Sequence, residues 1–156
     1  MNIFISYSGP DTELVKRIEE GFADLATISY WAKSKEPGTH DWPQIHKWID
    51  QADLVLVVVT DKTISRAMAV GNEIGIAQKA NKTIVPLVAP NVPKSELGCL
   101  HGITAIEFSP DDIQSAIKQL RPWVAKRKQN EDRIKAALWV AGGIGVLYLL
   151  SKNEKT

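Results

Sequence analysis

The chain has 156 residues, of which 44% are hydrophobic and 24% charged, and its formal net charge is +1 at pH 7. This composition is typical of one globular domain with an appendage, and the near-zero charge gives no field that would recruit nucleic acid. The single cysteine, Cys99, excludes an intrachain disulfide. The opening MNIFISYSG has no basic region and no cleavable apolar run, so we expect the first strand of the fold there and not a signal peptide.

Strands and helices alternate along the first half of the chain. Residues 2–7 form a β-branched and aromatic run that predicts a strand. Between residues 12 and 25, apolar residues recur at spacings of three and four, which indicates one face of a helix. Residues 27–31 predict a second strand, and a short helix is expected to begin at Pro43, after the polar loop AKSKEPGTHD.

The second half of the chain continues this alternation. Residues 54–59 are six consecutive apolar residues, a pattern typical of a strand that is covered on both faces of a parallel sheet. A helix and two further strands are predicted at residues 66–80, 83–88 and 103–108. Ser109 is expected to cap a last helix, which Pro122 should kink or end.

This order of elements predicts an α/β fold with a five-stranded, doubly wound parallel sheet. The flavodoxin-like strand order 2-1-3-4-5 is the commonest solution for five strands with right-handed crossovers. A ligand cleft should then open beyond the carboxyl ends of strands 1 and 3. Tyr7, Ser8 and Gly9 would form one wall of this cleft, and residues 60–65 would form the other.

One acidic residue is unusual within the predicted helix at residues 66–80. The neighbours of Glu73 at three and four positions are all apolar: Ala69, Val70, Ile76 and Ala77. A surface glutamate usually has a cation or open water at those positions. Glu73 is therefore either a residue that points into the cleft and takes part in chemistry, or an ordinary acid on the shoulder of the buried stripe.

The chain resembles a Toll/interleukin-1 receptor (TIR) domain, specifically the bacterial and archaeal kind. The resemblance covers residues 1–125 and rests on several motifs in the family's order. They are Phe4-Ile5-Ser6-Tyr7, Pro37-Gly38 followed by Trp42, Ala52-Asp53 with Thr60 and Ser65, and Glu73-Ile74-Gly75.

The resemblance implies either a scaffold that only binds other TIR domains or an enzyme that cleaves NAD, which is then a substrate and not a bound cofactor. Such enzymes release nicotinamide and make ADP-ribose or a cyclic isomer, and many act in antiphage defence. Their catalytic glutamate corresponds to Glu73. Many members have Trp-Cys where this chain has Ala69 and Val70. The aromatic wall beside the ligand is therefore either missing or supplied by Trp31 or Trp42.

NAD cleavage needs little machinery, because nicotinamide departs neutral and one carboxylate can stabilise the charge that develops on the ribose. Ser8 and Gly9 are candidates for contacts with phosphate or ribose, or they form a plain turn. Lys33 is a candidate for a phosphate contact, or it is one of several solvated lysines. Cys99 and His101 form a lone C-x-H pair, so no metal site is expected.

The outward face of the Glu73 helix carries Met68, Gly71 and Gly75. Exposed helical glycines cost about 1 kcal/mol each relative to alanine. We therefore predict that these residues allow the close approach of a second TIR domain. The alternatives are glycines that are merely tolerated, or close packing within the same domain.

A charged linker is predicted at residues 126–135, followed by an apolar helix at residues 136–151. The fifteen uncharged residues from position 136 span about 22 Å, against a hydrocarbon core of roughly 30 Å. With flanking lysines and interfacial aromatics, the segment is interpreted as a C-terminal membrane anchor with the TIR domain on the cytoplasmic side. An oligomerisation helix or a helix that covers the domain is the alternative.

Three functions remain at this point. The first is a membrane-tethered, NAD-cleaving TIR enzyme that is activated by self-association. The second is a non-catalytic TIR adaptor that connects an upstream sensor or a downstream effector to a membrane. The third is an enzyme similar to a nucleoside deoxyribosyltransferase, which shares the general sheet and a catalytic glutamate.

Overall fold

A computed structural model describes residues 1–34 and 42–153, with only the backbone described at residues 34, 64–67 and 138–153. The motif Pro37-Gly38 lies outside the described residues. The chain forms five strands: β1 (Asn2–Ser6), β2 (Thr27–Ser29), β3 (Leu54–Val59), β4 (Thr83–Val88) and β5 (Ile106–Glu107). All strand pairs are parallel, and the order is β2-β1-β3-β4-β5, as the sequence predicted.

α-Helices connect most of the strands. Short 3₁₀ segments precede three of these helices, and one 3₁₀ segment lies between β4 and β5 in place of an α-helix. The α-helices are α1 (Thr12–Phe22), α2 (Trp42–Gln51), α3 (Ala67–Lys79) and α4 (Ile113–Asn153). The 3₁₀ segments are η1 (Gly9–Asp11), η2 (Trp31–Ser34), η3 (Asp61–Arg66) and η4 (Lys94–Leu100). Because η1 follows β1 and η3 follows β3, both segments lie at the carboxyl edge of the sheet, where this fold places its ligands.

The central strand β3 explains why the sheet forms as it does. All six of its side chains are buried, and it pairs with β1 on one side and with β4 on the other. An uninterrupted apolar strand has to be covered on both faces, and the crossover helices supply that cover. The sheet and helices thereby place the ends of β1 and β3 side by side.

Helices α1 and α4 pack closely against each other through Gly21. A Cβ built on Gly21 would lie 2.8 Å from two carbons of the buried Ile117 side chain, so this approach requires a glycine. Next to this contact, the Arg121 guanidinium donates to the Gly21 carbonyl and to both carboxylate oxygens of Asp24. The last helix is therefore attached to the first by packing and by charge.

Several boundaries differ from the predictions for physical reasons. β2 ends at Ser29 because the chain turns into η2, where the Lys33 amide donates to the Tyr30 carbonyl. The predicted cap at Ser109 is wrong, since α4 begins at Ile113 and Ser109 instead accepts a turn hydrogen bond from the Asp112 amide. The helix also continues through Pro122. The strand predicted at residues 103–108 is limited to Ile106–Glu107.

The residues predicted as a charged linker, 126–135, are helical and continuous with the start of α4. Arg127 connects this part of the helix to the sheet, because its guanidinium donates to the Asp53 carbonyl at 3.1 Å and lies 5.5 Å from the Trp123 ring centroid. The backbone of residues 136–151 belongs to the same helix. Within the described part of the chain, no helix is long and apolar enough to cross a membrane.

Candidate active site

The carboxyl end of β1 meets α3 at a buried polar pair. Ser6, the last residue of β1, donates from its Oγ to Oε2 of Glu73 at 2.5 Å. Ser6 is fully buried and Glu73 is only 7% exposed. The alternative that Glu73 is a solvated acid on the helix surface is therefore not what the structure shows.

The surroundings of Glu73 are mostly apolar. Val70, Ile74 and Ala77, which lie near it on α3, are all buried in the core. A carboxylate in such surroundings interacts strongly with any charge that approaches it, because the local dielectric is low. It also requires hydrogen-bond donors, since a buried charge without them is costly. The Ser6 hydroxyl is one such donor, and it holds one carboxylate oxygen in a fixed position.

An aromatic cluster lies beyond the end of β1 and brings together two of the predicted site residues. The Tyr7 ring stacks on Trp31, with centroids 6.0 Å apart and an interplanar angle of 25°. Tyr30 meets Tyr7 edge-on at 5.9 Å. Tyr7 is buried, whereas Trp31 is half-buried at the start of η2. The structure therefore supplies an aromatic surface one residue after Ser6.

Ser8 and Gly9 both form hydrogen bonds with other residues of the domain. Ser8 Oγ donates to the Lys62 carbonyl at 3.1 Å, and the Gly9 carbonyl accepts from Thr12 Oγ1 at 2.7 Å. These contacts fix the start of η1 against η3 and α1. The predicted contacts of both residues with phosphate or ribose stay predictions.

Lys33 is held by its own domain. Its ammonium group pairs with the Glu19 carboxylate, donates to the Ile28 carbonyl at 2.8 Å and lies 5.1 Å from the Tyr30 ring centroid. Tyr30 also donates to Glu19, at 2.9 Å. Burial, followed by the contact with Glu19, raises the pKa of Tyr30 to about 12. Lys33 thus fastens η2 to α1, and its predicted phosphate contact stays a prediction.

Trp42, another predicted site residue, is exposed. It begins α2, is 40% exposed and meets His46 of the same helix edge-on at 5.9 Å. The structure therefore brings Tyr7 and Trp31 together, while Trp42 makes its ring contact within α2. Of these two tryptophans, Trp31 has the contact that places it beside the end of β1.

Sequence reasoning missed a second buried carboxyl group at this edge of the sheet. Asp11, the last residue of η1, is 4% exposed and accepts a 2.8 Å hydrogen bond from Thr60 Oγ1. Burial raises the pKa of Asp11, and the Thr60 hydrogen bond and the Lys62 charge only partly offset this effect. The available signal was that polar residues directly follow two strands that were predicted to be neighbours.

The predicted assembly face on α3 is open in the structure. Met68 is 84% exposed, and a Cβ built on Gly71 or Gly75 would meet no described atom within 4 Å. Close packing against the described residues of the domain therefore does not explain these glycines. The part of the chain that the structure describes contains no cluster of His, Cys, Asp and Glu residues that would hold a metal ion.

A cavity of about 420 Å³ lies away from Glu73, beyond the ends of β4 and β5. Its lining includes the apolar residues Val88 and Ile103 and the charged residues Lys94 and Glu107. Nothing in the sequence indicated this cavity. It belongs to the carboxyl edge of the sheet but not to the junction of β1 and β3.

Comparison with known proteins agrees with this fold. Residues 3–121 match a family model described as a TIR domain, and the chain therefore belongs to the TIR domain family. The resemblance to that family, inferred from the sequence, is thereby confirmed. No curated protein sequence matches the chain.

Two solved structures show the same fold. One is the crystal structure of the TIR domain of the Toll-related receptor TRR-2 from the lower metazoan Hydra magnipapillata, with 18% identity and a TM-score of 0.58, covering 78% of this chain and 96% of that chain. The other shows the TIR domains of the activated Roq1 resistosome directly recognising the pathogen effector XopQ. It has 18% identity and a TM-score of 0.52, and covers 65% of this chain and 64% of that chain.

Proposed function

We propose that this TIR domain cleaves NAD at the bond between nicotinamide and ribose, with Glu73 as the catalytic residue. The observation that carries the proposal is the buried Glu73 carboxylate, which Ser6 holds at 2.5 Å at the carboxyl end of β1. A glutamate at this position of α3 corresponds to the catalytic glutamate of the NAD-cleaving members of the family.

The arrangement suits a reaction in which positive charge develops on a sugar. When the C1′–N bond breaks, its electron pair moves to the pyridinium nitrogen and nicotinamide leaves as a neutral molecule. The ribose then carries the positive charge, and the Glu73 carboxylate stabilises it. Apolar surroundings strengthen this interaction. Water completes the reaction by adding to C1′ and losing a proton, which gives ADP-ribose, or a group of the substrate itself adds and gives a cyclic isomer.

The aromatic pair of Tyr7 and Trp31 is proposed as the wall that contacts the substrate. Many family members place a tryptophan four residues before the glutamate, whereas this chain has the smaller Ala69 there. Trp31 is half-buried and stacked on Tyr7, one residue after Ser6, so an aromatic face is present near the end of β1 from another element. Aromatic stacking on a flat ring of the substrate is worth about 0.5–1.5 kcal/mol beyond area burial.

A non-catalytic adaptor is the second candidate function. Ala69, in place of the family's tryptophan, and the highly exposed Met68 both favour a domain that acts by binding other domains. In either case we propose self-association through Met68, Gly71 and Gly75. The partner is another copy of the chain, with a further sensor or effector connected to the same assembly.

The biological setting is proposed from the family. A bacterial or archaeal TIR protein in antiphage or innate immune defence would deplete NAD, or make a signal from it, after assembly. Residues 136–151 are proposed to tether the domain to the cytoplasmic face of a membrane, an interpretation that rests on the sequence of the segment. Cell fractionation tests it, because protein that stays in the supernatant at low salt without detergent is not anchored in this way.

Incubation of the full chain with NAD under crowding conditions, after light scattering has shown assembly, tests the proposed activity. We expect nicotinamide release that depends on Glu73, while substitution of the exposed Glu96 by Gln serves as the matched control and leaves the rate unchanged. An assembled sample that releases no nicotinamide would favour the adaptor.

A further inference from the structure

Two side-chain hydrogen bonds join the loops that follow β1 and β3. Ser8 Oγ donates to the Lys62 carbonyl at 3.1 Å, and Thr60 Oγ1 donates to Asp11 Oδ2 at 2.8 Å. The Lys62 ammonium also lies 3.9 Å from Asp11 Oδ1. These four residues are called the inter-loop clasp below. Each loop contributes two of them, so the clasp fixes η1 against η3.

The β3 side of the clasp is organised by its own backbone. The Lys62 amide donates to Thr60 Oγ1 at 3.2 Å, so the single hydroxyl proton of Thr60 is available for Asp11. Thr63 Oγ1 accepts from the Thr60 amide at 2.9 Å and holds the same turn. In the bond between the two residues, the Thr60 hydroxyl is the donor and the carboxyl group of Asp11 is the acceptor.

Three of the four clasp residues, Ser8, Asp11 and Thr60, are buried, whereas Lys62 is exposed. Asp11 is 4% exposed and Thr60 is 2% exposed. Burying a carboxyl group is unfavourable unless hydrogen bonds compensate it. An apolar pair of similar size would stabilise the fold without that cost. The presence of Asp11 here therefore calls for an explanation beyond packing.

The clasp and the hydrogen bond between Ser6 and Glu73 connect the same two parts of the chain, the end of β1 with its following loop and the segment that follows β3. From Ser6 the chain runs two residues to Ser8 and on to Asp11, and the clasp then crosses to η3. η3 continues directly into α3, which returns to the end of β1 through Glu73. The position of Glu73 relative to β1 thus depends on the clasp at one end and on Ser6 at the other.

We propose that Asp11 is a positioning residue for Glu73 and acts through its hydrogen bond with Thr60. The hydrogen bond sets the position of η3, and through it the start of α3 and the Glu73 carboxylate. This inference rests on the proposed function for its effect on turnover, but its effect on Glu73 itself does not require any activity.

The test uses an isosteric pair of substitutions in the full chain. Thr60→Val removes the hydroxyl and keeps the shape, whereas Thr60→Ser keeps the hydroxyl. We expect Thr60→Val to lower kcat for nicotinamide release about tenfold to hundredfold with a much smaller change in KM, because displacement of a reacting group by about 1 Å has effects of this size. Thr60→Ser and Asp11→Asn, which keep the donor and the acceptor, should retain most of the activity.

A second measurement reports on Glu73 without relying on turnover. In the full chain labelled with ¹³C at glutamate carboxyl carbons, the Glu73 resonance is assigned by its loss in Glu73→Gln. We expect Thr60→Val to shift this resonance, while Thr60→Ser leaves it close to that of the unsubstituted chain. Asp24→Asn is the control, since it weakens the contact between α1 and α4 far from the clasp and should not shift the Glu73 resonance.

The possible results separate the two proposals. If the unsubstituted chain releases no nicotinamide but Thr60→Val still shifts the Glu73 resonance, the positioning role stands and the proposed function fails. If a folded Thr60→Val chain shows the same Glu73 resonance and the same kcat as the unsubstituted chain, the positioning role is overturned. Should Thr60→Val not fold, Asp11→Leu removes the acceptor of the same hydrogen bond, and an unshifted Glu73 resonance in that variant overturns the proposal equally.

Discussion

Ser6 and Glu73 are separated by 67 positions in the sequence, yet they form a buried hydrogen bond of 2.5 Å between the end of β1 and the second turn of α3. The bond exists because the parallel sheet places β1 beside β3, and the helix that follows β3 packs back over the end of β1. It connects the first motif of the family to the helix that carries its glutamate. The proposed chemistry therefore depends on a contact that neither motif shows alone.

Substitution of Ser6 tests whether this contact matters for turnover. Ser6→Ala removes a donor to the Glu73 carboxylate, and we expect kcat to fall about tenfold or more, since a hydrogen bond to a charged group contributes about 1.5–3 kcal/mol. Ser6→Thr keeps the hydroxyl and should recover part of the loss. Ser115→Ala, which removes an exposed hydroxyl on α4, is the control. Equal rates for Ser6→Ala and the unsubstituted chain would show that the bond has no role in catalysis.

The contact between α1 and α4 predicts different outcomes for two glycines. Gly21→Ala places a methyl group 2.8 Å from carbons of Ile117, whereas Gly71→Ala places one in open space. Both gain the same helix propensity, so the difference between them isolates the overpacking. We expect Gly21→Ala to be less stable than Gly71→Ala by about 1–3 kcal/mol in urea denaturation. Equal stabilities would mean that the two helices separate at low cost.

The buried carboxyl group of Asp11 predicts a specific dependence of stability on pH. Its pKa is raised on folding, first by burial, so the folded chain binds this proton more tightly than the unfolded chain does. The contribution of Asp11 to stability is thus fully present below the ordinary value of 3.8 and is lost as the pH rises through the raised pKa. Asp11→Asn does not titrate.

The free energy of unfolding of Asp11→Asn, relative to the unsubstituted chain, should therefore increase between about pH 3.5 and pH 7. Urea denaturation at several pH values measures this difference, in which the titration of the other carboxyl groups cancels. A difference that stays constant across the range, or that decreases, would contradict the raised pKa.

The open face of α3 predicts how self-association responds to a larger side chain at position 75. Gly75→Leu improves helix propensity, and a Cβ at position 75 meets no described atom within 4 Å, so the variant should remain folded. We expect it to shift the chain from oligomer to monomer in light scattering coupled to size exclusion. Glu20→Leu, on an exposed position of α1, controls for the addition of an apolar side chain. An oligomer of unchanged size in Gly75→Leu would exclude this face from the interface.

The fold was predictable because the patterns that determine it lie within short stretches of sequence. The apolar run of β3 and the alternation of strands with amphipathic segments determine a parallel sheet, and few strand orders satisfy right-handed crossovers. The burial of Glu73 was also predictable, since its four helical neighbours in the sequence are all apolar. The start of α4 was not, because Ser109 and Pro110 are good helix-capping residues that the structure uses in a turn instead.

The side-chain contacts at this end of the sheet could not be predicted, because they join residues that are distant in the sequence. Asp11 and Thr60 lie 49 positions apart, and only the adjacency of β1 and β3 brings them together. Lys33 was considered for a phosphate contact because nothing in the sequence indicates that Glu19 and the Ile28 carbonyl engage its ammonium group. Single candidate residues of the site can thus be identified from the sequence, but their hydrogen-bond and ion-pair partners cannot.

The most direct test of Glu73 as the catalytic residue is a comparison of nicotinamide release by the unsubstituted full chain and by Glu73→Gln, at matched assembly and matched unfolding midpoints. Glutamine has nearly the same shape and can still accept the hydrogen bond from Ser6, so the substitution removes the charge while the local geometry is kept. We predict release by the unsubstituted chain and a loss of at least about a hundredfold in Glu73→Gln, the size expected when an electrostatic stabiliser is removed. Release at the same rate by both chains would contradict the assignment of Glu73.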